Sequence, residues 1–199
     1  ALGKIDLKWV ANSQVDSLSI SAHKVGGFKG VGALYVKDTS SLKFPLIRGG
    51  GQEYSKRAGT ENLAGIISFS LQAQVIANNN PWKSVRGLCQ QLEDLLKNIN
   101  NVVLNSDAKT GSGNTINFYI KDMSIETVLL HCELAGVVVS SGSACSSGLA
   151  EPSYVLTAMN ISSENAKRSI RVSMGPENTI SEVNKFFNII KDLVEKNIN

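Results

Sequence analysis

Nowhere in the 199 residues does an apolar run approach the roughly 20 residues that a membrane-spanning helix needs, so no membrane segment is expected. Cysteine is scarce. Cys89, Cys132 and Cys145 are odd in number, widely spaced and form no C-x-x-C pair, which argues against a zinc site or a disulfide framework and for a reducing, cytoplasmic setting. Neither sign of charge dominates. The 20 Lys and Arg against 17 Asp and Glu leave +3, scattered along the chain and too mild a balance to argue for nucleic acid. Internal repeats are absent. Gly49-Gly50-Gly51 is not a Walker loop, because no Lys-Ser/Thr follows it, and neither a dinucleotide fingerprint nor the nucleophile elbow of a Ser-His-Asp hydrolase occurs. The chain opens Ala1-Leu2-Gly3 with no Met and no signal peptide, and is read as a piece of a longer polypeptide or one that has lost something upstream.

What is present is an ordinary globular composition. Hydrophobic residues at 42%, charged residues at 19% and a mean hydropathy near zero exclude disorder, a coiled coil and a collagen-like chain. The length suffices for one large domain or two small ones with a real core.

The first third alternates short strands and loops, with strands expected at 15–20 (VDSLSI) and 31–36 (VGALYV) around a tight Gly-rich connection. A helix follows, with Thr60 expected as N-cap and Leu63, Ile66, Ile67, Leu71, Val75 and Ile76 at helical spacing. Asn78-Asn79-Asn80-Pro81 breaks it, and a domain boundary is expected there, dividing 1–78 from 79–199. The second part reads as an α+β unit. It has helices at 85–99 (Leu88, Leu92, Leu95, Leu96), 124–134 and 180–196, strands at 115–120, 137–139 and 169–173, and a Ser/Gly-rich loop at 140–148. The fold class is mixed α/β.

Three constellations can carry chemistry. In Ser21-Ala22-His23-Lys24, at a strand end before a glycine-rich turn, a Lys buried beside a ligand would be an amine nucleophile toward an aldehyde, with Ser21 and His23 able to bind phosphate or orient a ring. Taken alone, such a dipeptide is better explained by a solvated surface Lys, and only the flanking Ser21, His23 and glycines count against that. Cys145 lies in Ser140-Ser141-Gly142-Ser143-Ala144-Cys145-Ser146-Ser147-Gly148, a stretch with almost no bulk, so its thiol is expected to be exposed and able to travel. Cys89 and Cys132 fall on helical stripes and read as core, and His131 reads as a surface or half-buried residue rather than a ligand. Arg171, inside the short strand Ser169–Ser173, needs a carboxylate, and from the residues alone a protein carboxylate is the better reading than a ligand's.

Taken in order, SAHKVGGFKGVGALYV, GGGQEYSKRAGTEN, VVVSSGSACSSGLAEPSYVL and SIRVSMG closely resemble the NifS/IscS-type cysteine desulfurases, class V members of the fold-type I pyridoxal-phosphate enzymes. The resemblance runs the whole length of the chain, and its pairing of S-x-H-K with SSGSAC is specific. It implies an aspartate-aminotransferase-like fold, of which this chain would be the C-terminal half: the end of the large cofactor domain (1–78) and the small α+β domain with the cysteine loop (79–199). It implies that Lys24 binds pyridoxal 5'-phosphate covalently and moves protons at the substrate Cα, that Ser21 and His23 hold the cofactor phosphate, and that Thr60 reaches the phosphate of a partner subunit in a homodimer. Arg171 would clamp the carboxylate of L-cysteine. Cys145 would take the sulfur as a persulfide and release alanine. An iron–sulfur scaffold protein and tRNA-thiolating enzymes are the implied acceptors, and no metal is implied.

One departure is local: Phe28 stands where the family pattern has Pro. A larger one is that the Asp and Gln that the family places around the cofactor ring fall before Ala1. Two other readings follow: a non-catalytic dimerisation or scaffold-binding remnant, and a selenocysteine lyase or other class V β-lyase.

Overall fold

The computed structural model describes residues 2–5, 13–141 and 151–196, and the chain divides into two compact units between Pro81 and Trp82. In the first unit, β1 (Ser17–Ser21) and β2 (Gly32–Val36) pair antiparallel, in register from Ser17 opposite Val36 to Ser21 opposite Gly32. The strands approach so closely at the last pair that a Cβ on Gly32 would sit 2.5 Å from the Ile20 carbonyl oxygen, so only glycine fits. Helix α1 (Leu63–Asn78) is capped by Asn62, whose Oδ1 accepts the Gly65 N–H at 3.0 Å. The expected cap, Thr60, stands two residues outside it, because Asn62 reaches the third helical N–H as a cap must.

Among the described apolar residues of this unit only Ala22, Val25 and Ala58 are buried. Helix α1 is apolar on nearly every side, yet Leu63, Ile66, Ile67, Leu71 and Val75 are each at least 40% exposed. A helix hydrophobic all round belongs in an interior.

The second unit has a substantial core. Its antiparallel sheet runs β3 (Val102–Leu104), β4 (Thr115–Ile120), β6 (Ile170–Ser173), β5 (Ser140–Ser141). Helices α2 (Trp82–Leu96), α3 (Ile125–Leu134) and α6 (Ile180–Lys196) share the core, while two short helices, α4 (Tyr154–Ala158) and α5 (Ser163–Arg168), lead into β6. Strand alternation sends Ile116 and Phe118 of β4, with Ile170 and Val172 of β6, to the core face, and Phe118 meets Phe186 of α6 edge-on at 6.3 Å between ring centroids. The buried stripe of α2 is Val85, Cys89, Leu92 and Leu96, with Leu88 and Leu95 at its edges.

Residues 137–139 form no strand. Pairing with β6 begins only at Ser140 opposite Arg171, because the Val137 N–H donates to the Cys132 carbonyl and closes the end of α3. Among the described residues no helix is long and apolar enough to cross a membrane, and no group of three or more His, Cys, Asp or Glu could hold a metal ion.

Candidate functional site

At the end of β1 the chain makes a single 3-10 turn, Ala22–Val25. Residues three apart share a side of such a turn, so Ala22 and Val25 go inward together and His23 and Lys24 face out. The Ala22 carbonyl accepts the N–H groups of Gly26 and Gly27, and the Ala22 N–H returns to the Val31 carbonyl. Gly26 closes the turn at φ 98°, a left-handed conformation that an L side chain resists.

Helix α1 lies along the connection that follows. Gly26 backs onto Gln72, Val31 onto Gly65, and the Phe28 N–H donates to Ser68 Oγ at 3.1 Å. That last bond is one a proline could not make, so the Phe28 departure carries its own anchor.

The turn leaves three polar side chains uncommitted. Ser21 is the N-cap residue but makes no side-chain cap bond, and neither it nor His23 nor Lys24 hydrogen-bonds to another described residue through its side chain. Lys24 is exposed, so this unit does not bury it as the sequence reading envisaged. Lys4 lies close enough to be coupled to it: partial burial, and secondarily the positive charge of Lys24, hold the Lys4 amine below its usual range. An amine, an imidazole and a hydroxyl on one turn suit a ligand carrying both an aldehyde and a phosphate. The donor set fits pyridoxal phosphate.

Thr60 is not brought to this turn. The Lys24 end of the connection packs near Gln72, whereas Thr60 precedes the other end of α1, about ten residues or about 15 Å of helix away.

In the second unit, Arg171 lies on the sheet face opposite the core. It stands directly across from Asn117 of β4 on one side and Ser140 of β5 on the other. The ion pairs among the described residues join Lys97 to Asp94, Arg168 to Asp122 and Glu164, and Lys191 to Glu195, so no described carboxylate takes Arg171. Cys145 lies outside the described residues, but the segment carrying it begins where Ser140 and Ser141 pair with Arg171 and Ile170. A cavity of about 250 Å³ on the core side, lined in part by Val139, Met174, Glu182 and Phe186, holds none of these residues.

Cys89 and Cys132 are fully buried, and burial pushes both thiols up to about 11. His131 is exposed, with Nδ1 3.0 Å from the Thr127 carbonyl one turn back. What sequence reasoning missed is the polar row beside Arg171. Asn105 and Asn117 carry no motif, and only the pairing of β3, β4 and β6 aligns them.

The fold is that of the class V, fold-type I group of α/β proteins, as the following matches show. The pattern of the aminotransferase class-V family matches residues 3–186, and the chain belongs to that family. It is 43% identical over 186 residues to a cysteine desulfurase IscS of Dictyoglomus turgidum, covering 92% of this chain and 47% of that protein. A crystal structure of a NifS-like protein from Rickettsia africae superposes with a TM-score of 0.80 at 31% identity, over 98% of this chain and 51% of the other. A structure described as SspA in complex with cysteine matches at a TM-score of 0.64 and 31% identity, over 90% of this chain and 49% of the other. The chain thus spans about half the length of the relatives it matches.

Proposed function

We propose that the protein to which this chain belongs is a pyridoxal-phosphate-dependent cysteine desulfurase. It converts L-cysteine to L-alanine and passes the sulfur on as an enzyme persulfide. The observation that supports this most is the Ala22–Val25 turn, which buries its two apolar residues and leaves Ser21, His23 and Lys24 uncommitted. In this reading residues 1–78 end the large cofactor domain and 79–199 form the small domain.

Lys24 takes and returns the proton at the substrate Cα, a role that suits an amine on a fixed turn with a short reach. Ser21 and His23 hold the cofactor phosphate from the same turn. The cofactor, when bound, supplies the electron sink for this chemistry. Arg171 grips the substrate carboxylate through its planar fork of donors. The thiolate of Cys145 then attacks the substrate sulfur. The S–S bond forms as the substrate's C–S bond breaks, the electron pair stays with carbon, and carbon takes up a proton. The products are alanine and a Cys145 persulfide, with no external oxidant or reductant.

The distance between Thr60 and Lys24 supports a homodimer in which Thr60 serves the partner's cofactor. Sulfur acceptors of the iron–sulfur scaffold and tRNA-thiolating kind, and a cytoplasmic location, belong to the same proposal. The full-length protein, assayed for alanine and for persulfide from L-cysteine, tests it. Both products form in the wild type, Cys145→Ala makes neither, and Lys24→Ala also loses the visible absorption of the bound cofactor. Unchanged turnover by Cys145→Ala rejects the persulfide role, and turnover of selenocysteine but not cysteine points instead to a selenocysteine lyase.

A further inference from the structure

Arg171 does not stand alone on its sheet face. The register of β3, β4, β6 and β5 places Asn105, Asn117, Arg171 and Ser140 in one row across the sheet: the Asn105 N–H donates to the Asn117 carbonyl, Asn117 stands opposite Arg171, and Arg171 stands opposite Ser140. Directly opposed residues of an antiparallel pair carry their Cβ atoms about 5 Å apart on the same face. The side chain of Asn117 is therefore an immediate neighbour of the Arg171 stem.

The hydrogen bonds in this row determine which way the Asn117 amide turns. Ser169 Oγ donates its one proton to the Asn165 carbonyl at 2.7 Å, so toward Asn105 it can only accept. Asn105 Nδ2 satisfies it at 2.9 Å and gives its other hydrogen to Asn117 Oδ1 at 2.8 Å. The oxygen of the Asn117 amide is thus committed to Asn105, and its NH2 group donates to no described residue. Unlike Asn105 Oδ1, which is buried without a partner, the Asn117 nitrogen is not among the buried unpaired atoms. The result is a neutral, two-hydrogen donor held rigidly beside a guanidinium that has no described carboxylate partner.

We propose that Asn117 is a second carboxylate-binding residue: its Nδ2 and the Arg171 guanidinium together take the α-carboxylate of the amino-acid substrate. The inference rests on the reading of Arg171 as the carboxylate clamp. It adds a specificity for the carboxylate group over the same molecule without it. A donor to an ionised oxygen is stronger than one between neutral groups, and an amide fixed by Asn105 and Ser169 loses little freedom on binding.

The test uses the full-length holoenzyme, with dissociation constants measured calorimetrically for L-alanine and for ethylamine, which lacks the carboxylate, and with KM and kcat for L-cysteine. Asn117→Ala is expected to weaken L-alanine binding and raise KM about tenfold, with kcat and the ethylamine constant within about twofold of wild type. Asn117→Asp keeps the acceptor for Asn105 but sets a negative oxygen against Arg171, and is expected to weaken L-alanine more than Asn117→Ala does. Asn105→Ala, which releases the Asn117 amide, is expected to lower the melting temperature and to weaken L-alanine binding relative to ethylamine by less than Asn117→Ala does. If Arg171→Ala collapses the ratio of the two constants while both Asn117 variants leave it unchanged, Asn117 is not a carboxylate donor. If Arg171→Ala leaves it unchanged as well, the reading of Arg171 fails, and the inference with it.

Discussion

Glu93, 2% exposed in the last turn of α2, accepts the backbone N–H of Ala108 through Oε2 at 3.0 Å. Two turns earlier on the same helix, Arg86 donates to the Ala108 carbonyl at 2.7 Å and reaches the carbonyls of Lys109 and Gly111. One helix thus grips both the donor and the acceptor of Ala108 and sets the path by which the chain enters β4, the strand that carries Asn117. Removing the carboxylate leaves a buried N–H without a partner. Glu93→Ala should therefore cost about 2–3 kcal/mol in urea denaturation, whereas Glu93→Gln, which keeps an oxygen there, should cost less than half as much. Equal losses would mean that the acceptor is not what matters at this position.

The two buried cysteines predict a thiol count. With Cys89 and Cys132 fully buried and raised to about 11, the native full-length protein at pH 8 should expose neither to iodoacetamide, and Cys145→Ser should remove one fast-reacting thiol. Their contribution to stability also has a sign. A thiol raised in the folded state stabilises fully below the unfolded value near 9.0 and is lost as pH climbs toward about 11. Urea midpoints should therefore fall between pH 9 and 11, and by less in Cys89→Ala than in wild type.

Glu182 works in the other direction. It forms a reciprocal cap with Thr179 at the start of α6: Oε2 accepts the Thr179 N–H at 2.7 Å, and Thr179 Oγ1 accepts the Glu182 N–H at 3.4 Å. The backbone bond from Thr179, followed by the side chains of Asn178 and Thr179, holds its carboxyl below the usual value of 4.5. Its stabilisation is present above that value and is lost as pH falls through the lower folded one. Glu182→Gln should show a smaller loss of melting temperature than wild type when pH is lowered from 5 to 3.

The surface of α1 predicts self-association of the 199-residue chain in isolation. Leu63 and Leu71, at 66% and 56% exposure, belong to an apolar face that nothing described in this unit covers. Sedimentation of the chain alone should show aggregates, and Leu63→Lys with Leu71→Lys should shift it toward a single small species. A monodisperse, cooperatively melting wild-type chain would contradict this.

The separation of Thr60 from the Lys24 turn gives a complementation experiment on the full-length enzyme. If Thr60 serves the partner's site, mixing Lys24→Ala and Thr60→Ala protomers builds hybrid dimers with one intact site, and random exchange should restore roughly a quarter of wild-type activity. If Thr60 acts within its own protomer, every hybrid site lacks one of the two residues and no recovery occurs.

Local sequence was enough for the elements whose apolar period is long or strict. The strand over Thr115–Ile120 and the helix over Ile180–Lys196 form where that period expects them. It was not enough where packing outranks propensity. Val137–Val139 is as β-prone as any tripeptide here, yet Val137 closes α3 instead. The three-residue strand Val102–Leu104 and the short helices Tyr154–Ala158 and Ser163–Arg168 hold too few residues to show a period at all.

The sequence by itself determined the chemistry available: an amine, an imidazole and a hydroxyl within four residues, a guanidinium in a strand, and a thiol in a Ser/Gly-rich stretch. Those are covalent facts, and no fold can add or remove them. The tertiary structure alone decided that Ser21, His23 and Lys24 face away from Ala22 and Val25, and that Asn117 stands beside Arg171. Burial orients the turn, and strand register brings together Asn117 and Arg171, which are far apart in the chain. Those are relations between backbones, set by hydrogen bonding and burial, which no local pattern encodes.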